Sequence, residues 1–121
     1  MAVAARPQLL GAAPRRAMST FEASDDIDVD SVSYGFMASQ AVFAGLELGI
    51  YDAVAAAGDK GLQLAALQQS SGVSAPRLQT LLTSLTAIKS LKRGADGSYT
   101  LSPNASKYLV TSSRAYYGDY L

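Results

Sequence analysis

The stretch LAALQQSSGVSAPRLQTLLTSLTAIKSLKRGADGSYTL, residues 64–101, decides the fold of this chain. Its main helix is predicted to start after Ser74, a helix-capping residue type, because apolar side chains then recur every three or four positions. These apolar residues are Leu78, Leu81, Leu82, Leu85 and Ile88, continued by Leu91. A shorter helix is predicted over residues 62–69, and Gly72 suits the left-handed position in the turn that follows it. The inward side chains of this shorter helix are predicted to be Leu64, Ala65 and Leu67.

A β-hairpin wing is predicted from Leu91 to Leu101, directly after the main helix. The sequence GADG at 94–97 is typical of a hairpin loop, and Tyr99 and Leu101 alternate with a polar residue as in a strand. Helix, turn, helix and hairpin follow one another in the order of a winged helix. We therefore predict a mainly α fold, a winged helix-turn-helix with a small two-stranded β-hairpin wing.

A long apolar helix is predicted before this unit, from Ser31 to about Gly49, with Asp30 or Ser31 as its cap. A helix that serves one core needs an apolar stripe of only about 100°. Here the apolar residues cover a much wider arc, so a second surface must cover the remainder, and a partner subunit is the simplest cover. The predicted dimer-interface residues are Tyr34, Phe36, Met37, Ala41, Val42, Phe43 and Leu46.

The rest of the chain is predicted to be helical, with an aromatic cluster near its end. A short helix is predicted over residues 50–57, and another opens at Pro103, with Ala105, Tyr108 and Leu109 inward. Two interpretations of the cluster stay open: it packs against a neighbouring helix, or it forms a wall of a small-molecule pocket in a longer protein. The candidate pocket-wall residues are Tyr116, Tyr117 and Tyr120. No helix-breaking sequence ends this segment, so we expect the chain to be a fragment or a truncated product.

Composition excludes several kinds of chemistry. The sequence has no Cys and no His, which removes thiol nucleophiles, thiolate metal sites and the commonest general base. We predict no catalytic, cofactor-binding or metal-binding residue in this chain. No apolar run approaches the roughly 20 residues that span a bilayer. The acidic residues between 22 and 30 are interpreted as a solvated linker.

The N-terminal residues 1–29 are predicted to be a disordered or targeting extension, and residues 30–121 a winged-helix dimerisation domain. Arg6, Arg15 and Arg16 precede the first acidic residue, Glu22, and arginine-rich, acid-poor N-termini are typical of organelle transit peptides. We expect a cytoplasmic protein. The alternative is a mitochondrial or plastid location.

A winged helix also suggests a DNA-binding transcriptional regulator. In that alternative the phosphate contacts come from Arg77, Lys89, Lys92 and Arg93. Most of the affinity of DNA-binding proteins comes from clustered basic residues, whereas this chain has a net charge of zero. Nucleic acid is therefore the less favoured partner.

The stretch from Gly35 to Leu121 resembles the N-terminal dimerisation domain of class I S-adenosylmethionine-dependent O-methyltransferases, the group that includes acetylserotonin, caffeate and phenazine methyltransferases. The sequence AGLELGIYD at 44–52 is similar to the signature that follows the first helix of this family. PRLQTLLTSL at 76–85 is similar to its long helix, and GSYTLS at 97–102 is similar to the end of its wing.

The resemblance implies a dimerisation module of a small-molecule O-methyltransferase, which forms a homodimer or pairs with a full-length relative. S-adenosylmethionine is the cofactor of the full-length family, and it binds in a Rossmann-like domain further along the chain. The glycine-rich loop and catalytic His of that domain have no counterpart here, so we expect a non-catalytic chain that binds no cofactor. A third interpretation is a truncated interaction protein that pairs with full-length methyltransferases.

Overall fold

The computed structural model describes residues 25–121 of the chain. The arginine-rich segment that was predicted to be a targeting or disordered extension lies outside the described residues. The chain divides into two units, with the boundary between Phe36 and Met37. The winged helix lies entirely in the second unit.

Five helices and one hairpin make up the described part of the chain. The helices are α1 Val29–Glu47, α2 Ile50–Ala57, α3 Leu64–Ser71, α4 Ala75–Ala87 and α5 Pro103–Tyr108. Strands β1, Leu91–Arg93, and β2, Tyr99–Leu101, pair antiparallel, with Leu91 opposite Leu101. Two 3-10 turns, Gly58–Lys60 and Gly118–Tyr120, complete the order. The predicted fold class, mainly helical with a two-stranded wing, is confirmed.

The core of residues 37–121 is built around α4. Leu78, Leu82 and Leu85 of this helix are fully buried, because their spacing of four and three places them on one side. The helix packs on α3 and on β1. The other buried apolar residues come from α2, α3, the wing and the segment around α5: Ile50, Tyr51, Val54, Leu67, Leu91, Tyr99, Ala105 and Val110.

The helix before the turn starts later than predicted. Residues 62–69 were expected to be helical, but α3 begins at Leu64, because Leu62 pairs with the wing instead. The Leu62 N–H donates to the Tyr99 carbonyl at 3.0 Å, and the Tyr99 N–H donates to the Leu62 carbonyl at 2.8 Å. The prediction that Ala65 faces inward is wrong, since this residue is exposed while Leu67 is buried.

The main helix ends earlier than its apolar spacing suggested. α4 ends at Ala87, and Ile88 is 38% exposed instead of facing the core. Lys89 has a φ of 70°, a left-handed backbone angle that closes the helix. Leu91 is buried as the first residue of strand β1, at the predicted start of the wing. Ser74 does occupy the cap position, but its side chain makes no capping hydrogen bond.

The wing loop is held by its acidic residue. The Asp96 carboxylate accepts hydrogen bonds from the Ser98 hydroxyl at 2.7 Å and from the Ser98 N–H at 3.0 Å. These hydrogen bonds lower the pKa of Asp96. Gly97 has a φ of 86° in the same loop. The predicted hairpin loop at 94–97 is therefore present, and Tyr99 returns into the core.

Two predictions near the C-terminus have different outcomes. Ala105 of α5 is buried as expected, with 3% exposure. Tyr108 was expected to face inward but is 38% exposed. Helix α5 ends at Tyr108, and the next residue, Leu109, packs against the core as predicted. Val110, which was not predicted to be in the core, is buried instead.

Gly61 and Gly72 provide a matched test of how the wing is attached. Both have left-handed backbone angles, with φ of 71° and 75°. A Cβ at Gly61 would clash with the Tyr99 carbonyl oxygen, whereas a Cβ at Gly72 meets no heavy atom of the described residues within 4 Å. We expect Gly72→Ala to cost about 1 kcal/mol, for the backbone angle alone. Gly61→Ala should cost roughly 2 kcal/mol more, because it adds a steric clash with backbone.

The free energy of unfolding measured in urea separates the two variants. Equal losses for Gly61→Ala and Gly72→Ala would contradict the contact between Gly61 and the wing.

Candidate dimer interface

Helix α1 begins with a side-chain cap at Asp28. The Asp28 carboxylate accepts hydrogen bonds from the Ser31 N–H at 3.1 Å and from the Ser31 hydroxyl at 3.0 Å. The backbone hydrogen bonds and the side-chain hydrogen bond from Ser31 lower the pKa of Asp28. The cap was predicted at Asp30 or Ser31. The helix starts at Val29 because Asp28, and not Asp30, takes the capping position.

The first half of α1 exposes large apolar side chains. Within residues 29–36, four of them are between 47% and 63% exposed: Val29, Val32, Tyr34 and Phe36. In the second unit, Met37 continues this pattern at 58% exposure. Tyr34, Phe36 and Met37, three of the predicted interface residues, are therefore available to a partner.

The second half of α1 is attached to the domain through Gly45. Gly45 is buried, and a Cβ there would lie 2.9 Å from Cε2 of Tyr51 and 3.3 Å from Cδ1 of Leu85. The absence of a side chain thus lets the helix backbone approach the core closely. The other four predicted interface residues are half-buried: Ala41, Val42, Phe43 and Leu46. Ala41 and Leu46 pack against the core of their own chain.

Tyr51 fixes the other side of this contact. Its hydroxyl donates to the Ser90 Oγ at 3.0 Å, and Ser90 in turn donates to the Leu85 carbonyl at 3.0 Å. Burial raises the pKa of the Tyr51 hydroxyl, while the hydrogen bond with Ser90 opposes that rise. The Tyr51 ring is therefore not free to move away from Gly45.

Charge is nearly absent from α1. The helix contains no basic residue, and its acidic residues are Asp30 near its start and Glu47 at its end. Between them lie uncharged side chains only. An exposed apolar surface without charges favours a partner with a similar apolar surface.

The aromatic segment divides into a packed residue and two exposed ones. Tyr116 is half-buried, whereas Tyr117 and Tyr120 are 52% and 82% exposed. The rings of Tyr117 and Tyr120 lie 5.4 Å apart with an angle of 35° between their planes. The cavity next to Tyr116 measures about 10 Å³, too small for more than a water molecule. This cavity therefore offers no room for a small-molecule ligand.

Two larger grooves occur in the described part of the chain. One, of about 490 Å³, lies at the turn between α3 and α4 and is lined by Gln68, Gln69 and Val73 among others. The other, of about 300 Å³, lies between α2 and the wing and includes Asp59 and Lys92. Within residues 25–121 no group of three or more Asp, Glu, His or Cys side chains could hold a metal ion.

The outer face of α4 is poorly suited to reading DNA bases. Its hydroxyls donate to carbonyls one turn earlier on the same helix, as Thr80 does to Pro76 at 3.1 Å and Thr86 does to Leu82 at 2.7 Å. The Gln79 amide donates to the Tyr99 hydroxyl at 3.1 Å. The cations of the DNA-binding alternative are all exposed: Arg77, Lys89, Lys92 and Arg93. Three polar side chains of this helix, Gln79, Thr80 and Thr86, are thus engaged in intramolecular hydrogen bonds.

No single helix among residues 25–121 has the length and hydropathy of a membrane span. The required length and hydropathy are reached only when α1 and the segment from Ile50 to Lys60 are taken together. These two are bent by 63° relative to each other.

The fold and the exposed helix together define a winged-helix domain that carries an apolar helix for pairing. The model of the O-methyltransferase dimerisation domain matches residues 31–111. Rat acetylserotonin O-methyltransferase is 41% identical over 83 residues, which are 69% of this chain and 18% of the rat protein. The chain therefore belongs to the O-methyltransferase family, of which it carries the dimerisation domain.

Solved structures of related enzymes have the same fold. Human N-acetylserotonin methyltransferase in complex with SAM matches with a TM-score of 0.64 and 33% identity, over 74% of this chain and 28% of the human one. An O-methyltransferase family 2 protein from Planctomyces limnophilus in complex with apigenin matches with a TM-score of 0.66 and 29% identity, over 83% of this chain and 29% of that one. The chain thus spans between a sixth and a third of the relatives it matches. The family predicted from sequence is confirmed.

Sequence reasoning missed two contacts that shape this region. The first is the close approach of the helix at Gly45, a residue that apolar periodicity does not single out. The second is Asp52, whose carboxylate accepts two hydrogen bonds from Thr111, 59 positions later. Helical spacing carries no signal for such a distant pair. The only indication in the sequence that Asp52 matters was its position at the end of the family-like stretch AGLELGIYD.

Alanine substitutions at Gly45 and Gly35 measure how much the close packing of α1 contributes to the free energy of unfolding. A Cβ at Gly35 meets no heavy atom of residues 25–121 within 4 Å. Gly35→Ala should therefore stabilise the chain by up to about 1 kcal/mol through helix propensity alone. Gly45→Ala receives the same propensity gain but crowds Tyr51, so its unfolding free energy should be roughly 2 kcal/mol below that of Gly35→Ala.

Urea unfolding of both variants in the same association state provides the comparison. If Gly45→Ala were as stable as Gly35→Ala, the close packing of α1 on Tyr51 would be wrong.

Proposed function

We propose that this chain associates with a second copy of itself through the apolar surface of α1. The observation that carries the proposal is the exposure of Phe36 and Met37, at 61% and 58%, in a helix without basic residues. Exposed apolar surface of this kind is costly in water, because about 25 cal/mol is recovered for each Å² that a partner covers. Tyr, Phe and Met are also the residue types enriched at protein interfaces.

The pairing surface, as we define it, consists of the seven residues predicted from sequence. Tyr34, Phe36 and Met37 form the part with the largest exposed fraction. Ala41, Val42, Phe43 and Leu46 form a second part, already half-buried, where a partner covers only the remaining exposed area. A standard interface buries about 800 Å² on each partner. The length of α1, with 19 residues, is sufficient for a helix-to-helix contact of that size.

We further propose that the complete enzyme methylates a hydroxyl group of a small molecule with S-adenosylmethionine, and that this domain contributes subunit pairing rather than chemistry. The complexes of two related enzymes, with SAM and with apigenin, support the cofactor and the kind of substrate. The alternative partner is a full-length relative instead of a second copy. In that case the same surface of α1 forms the contact.

Phe36→Lys tests the proposal directly. A lysine at this position places an unpaired charge in the apolar contact, and we expect the dissociation constant of the dimer to rise by about 100-fold or more. Sedimentation velocity over a range of concentrations measures the change. Ala56→Lys is the matched control, because Ala56 is exposed on α2 and the substitution adds the same charge.

A wild-type chain that sediments as a monomer at about 100 μM would contradict the proposal. This concentration is well above the dissociation constants of specific dimers. Equal weakening by Phe36→Lys and Ala56→Lys would also contradict it, since the effect would then come from charge alone.

A further inference from the structure

A carboxylate on α2 holds the C-terminal segment, residues 110–121, in place. The two oxygens of Asp52 each accept a hydrogen bond from Thr111, one from its backbone N–H at 2.9 Å and one from its hydroxyl at 2.9 Å. Hydrogen bonds to an ionised acceptor are roughly twice as strong as neutral ones. Asp52 also lies in the first turn of α2, where the helix dipole favours a negative charge.

Thr111 is the point at which the C-terminal segment leaves the core. Val110, immediately before it, is buried, whereas Thr111 itself is exposed. From there the segment continues as turns, and its Tyr117 N–H donates to the Tyr108 carbonyl at 2.8 Å. Asp52 therefore holds the start of the segment through two hydrogen bonds, and the Tyr108 carbonyl holds it further along at Tyr117.

This attachment places Tyr116 next to the pairing surface. Asp52, Thr111, Tyr116 and Leu46 all line the cavity of about 10 Å³. These four residues therefore lie around the same small space, which holds at most a water molecule. Leu46 belongs to the pairing surface, so Tyr116 lies next to the C-terminal end of that surface.

We propose that Asp52 is a positioning residue that holds the C-terminal segment against α1, so that Tyr116 forms part of the surface that takes a second copy of the chain. The proposal rests on the proposed function, because it extends the same pairing surface beyond α1. In this proposal Asp52 does not contact the partner itself. It acts on pairing through the segment that it holds in place. Its role is thus distinct from that of Phe36, which a partner covers directly.

The experiment compares amide hydrogen exchange at Tyr117 with exchange at Leu82 in the full chain. Asp52→Ala removes both hydrogen bonds to Thr111, so we expect exchange at Tyr117 to become about tenfold faster through local opening. Leu82 is fully buried in α4, and its amide reports global unfolding. Its exchange should change much less than that at Tyr117.

Three further variants keep the experiment decisive. Asp52→Asn should give a smaller increase, because an amide can accept from the Thr111 N–H and donate to its hydroxyl. Thr111→Val removes one of the two hydrogen bonds and should also give an intermediate increase. Asp59→Ala, in the exposed 3-10 turn, removes a carboxylate without these contacts and serves as the matched control. Equal changes at Tyr117 and Leu82, or no change at Tyr117, would overturn the proposal.

Sedimentation of the same variants tests the link to pairing. We expect Asp52→Ala to raise the dimer dissociation constant by about tenfold, with Asp52→Asn between it and the wild type. Faster exchange at Tyr117 with an unchanged dissociation constant would overturn the role of the segment in pairing. A monomeric wild type would instead overturn the proposed function itself, and the exchange data would still decide whether Asp52 holds the segment.

Discussion

The close approach of α1 to the core at Gly45 is the contact on which the rest of the surface depends. A side chain there would meet the Tyr51 ring, and that ring is itself held by the hydrogen bond to Ser90. Because the backbone comes so near, the residues around Gly45 are half-buried by their own chain. The large apolar side chains in the first half of the helix do not share this contact and remain exposed.

The winged helix of this chain is held together mainly by its second helix. Its second helix, α4, uses its apolar side for the core, and it uses several of its hydroxyls for hydrogen bonds to its own backbone. Gln79 bonds to Tyr99 of the wing, which fixes the wing against the helix. The same fold order can therefore carry two different functions, and the residues on the outer face of α4 decide between them.

Local sequence signals predicted the elements well where one signal dominated. The leucine spacing of α4, the GADG loop and the buried Leu91 and Tyr99 follow from periodicity and turn chemistry. The predictions failed where a distant segment competed with local preference. Leu62 pairs with Tyr99 instead of starting a helix, and a left-handed Lys89 ends α4 before Ile88 can reach the core. Hydrogen bonds between distant segments outweigh helix propensity in the first case.

The sequence by itself determined the element order, the family and the excess of apolar surface on the first helix. These properties depend on residue types and their spacing along the chain. Only the tertiary structure decided which of the seven interface residues are exposed, because burial depends on which segments meet. It alone brought Asp52 to Thr111 and placed Tyr116 beside Leu46. Contacts across such a sequence separation arise from packing of the whole domain, and no local pattern encodes them.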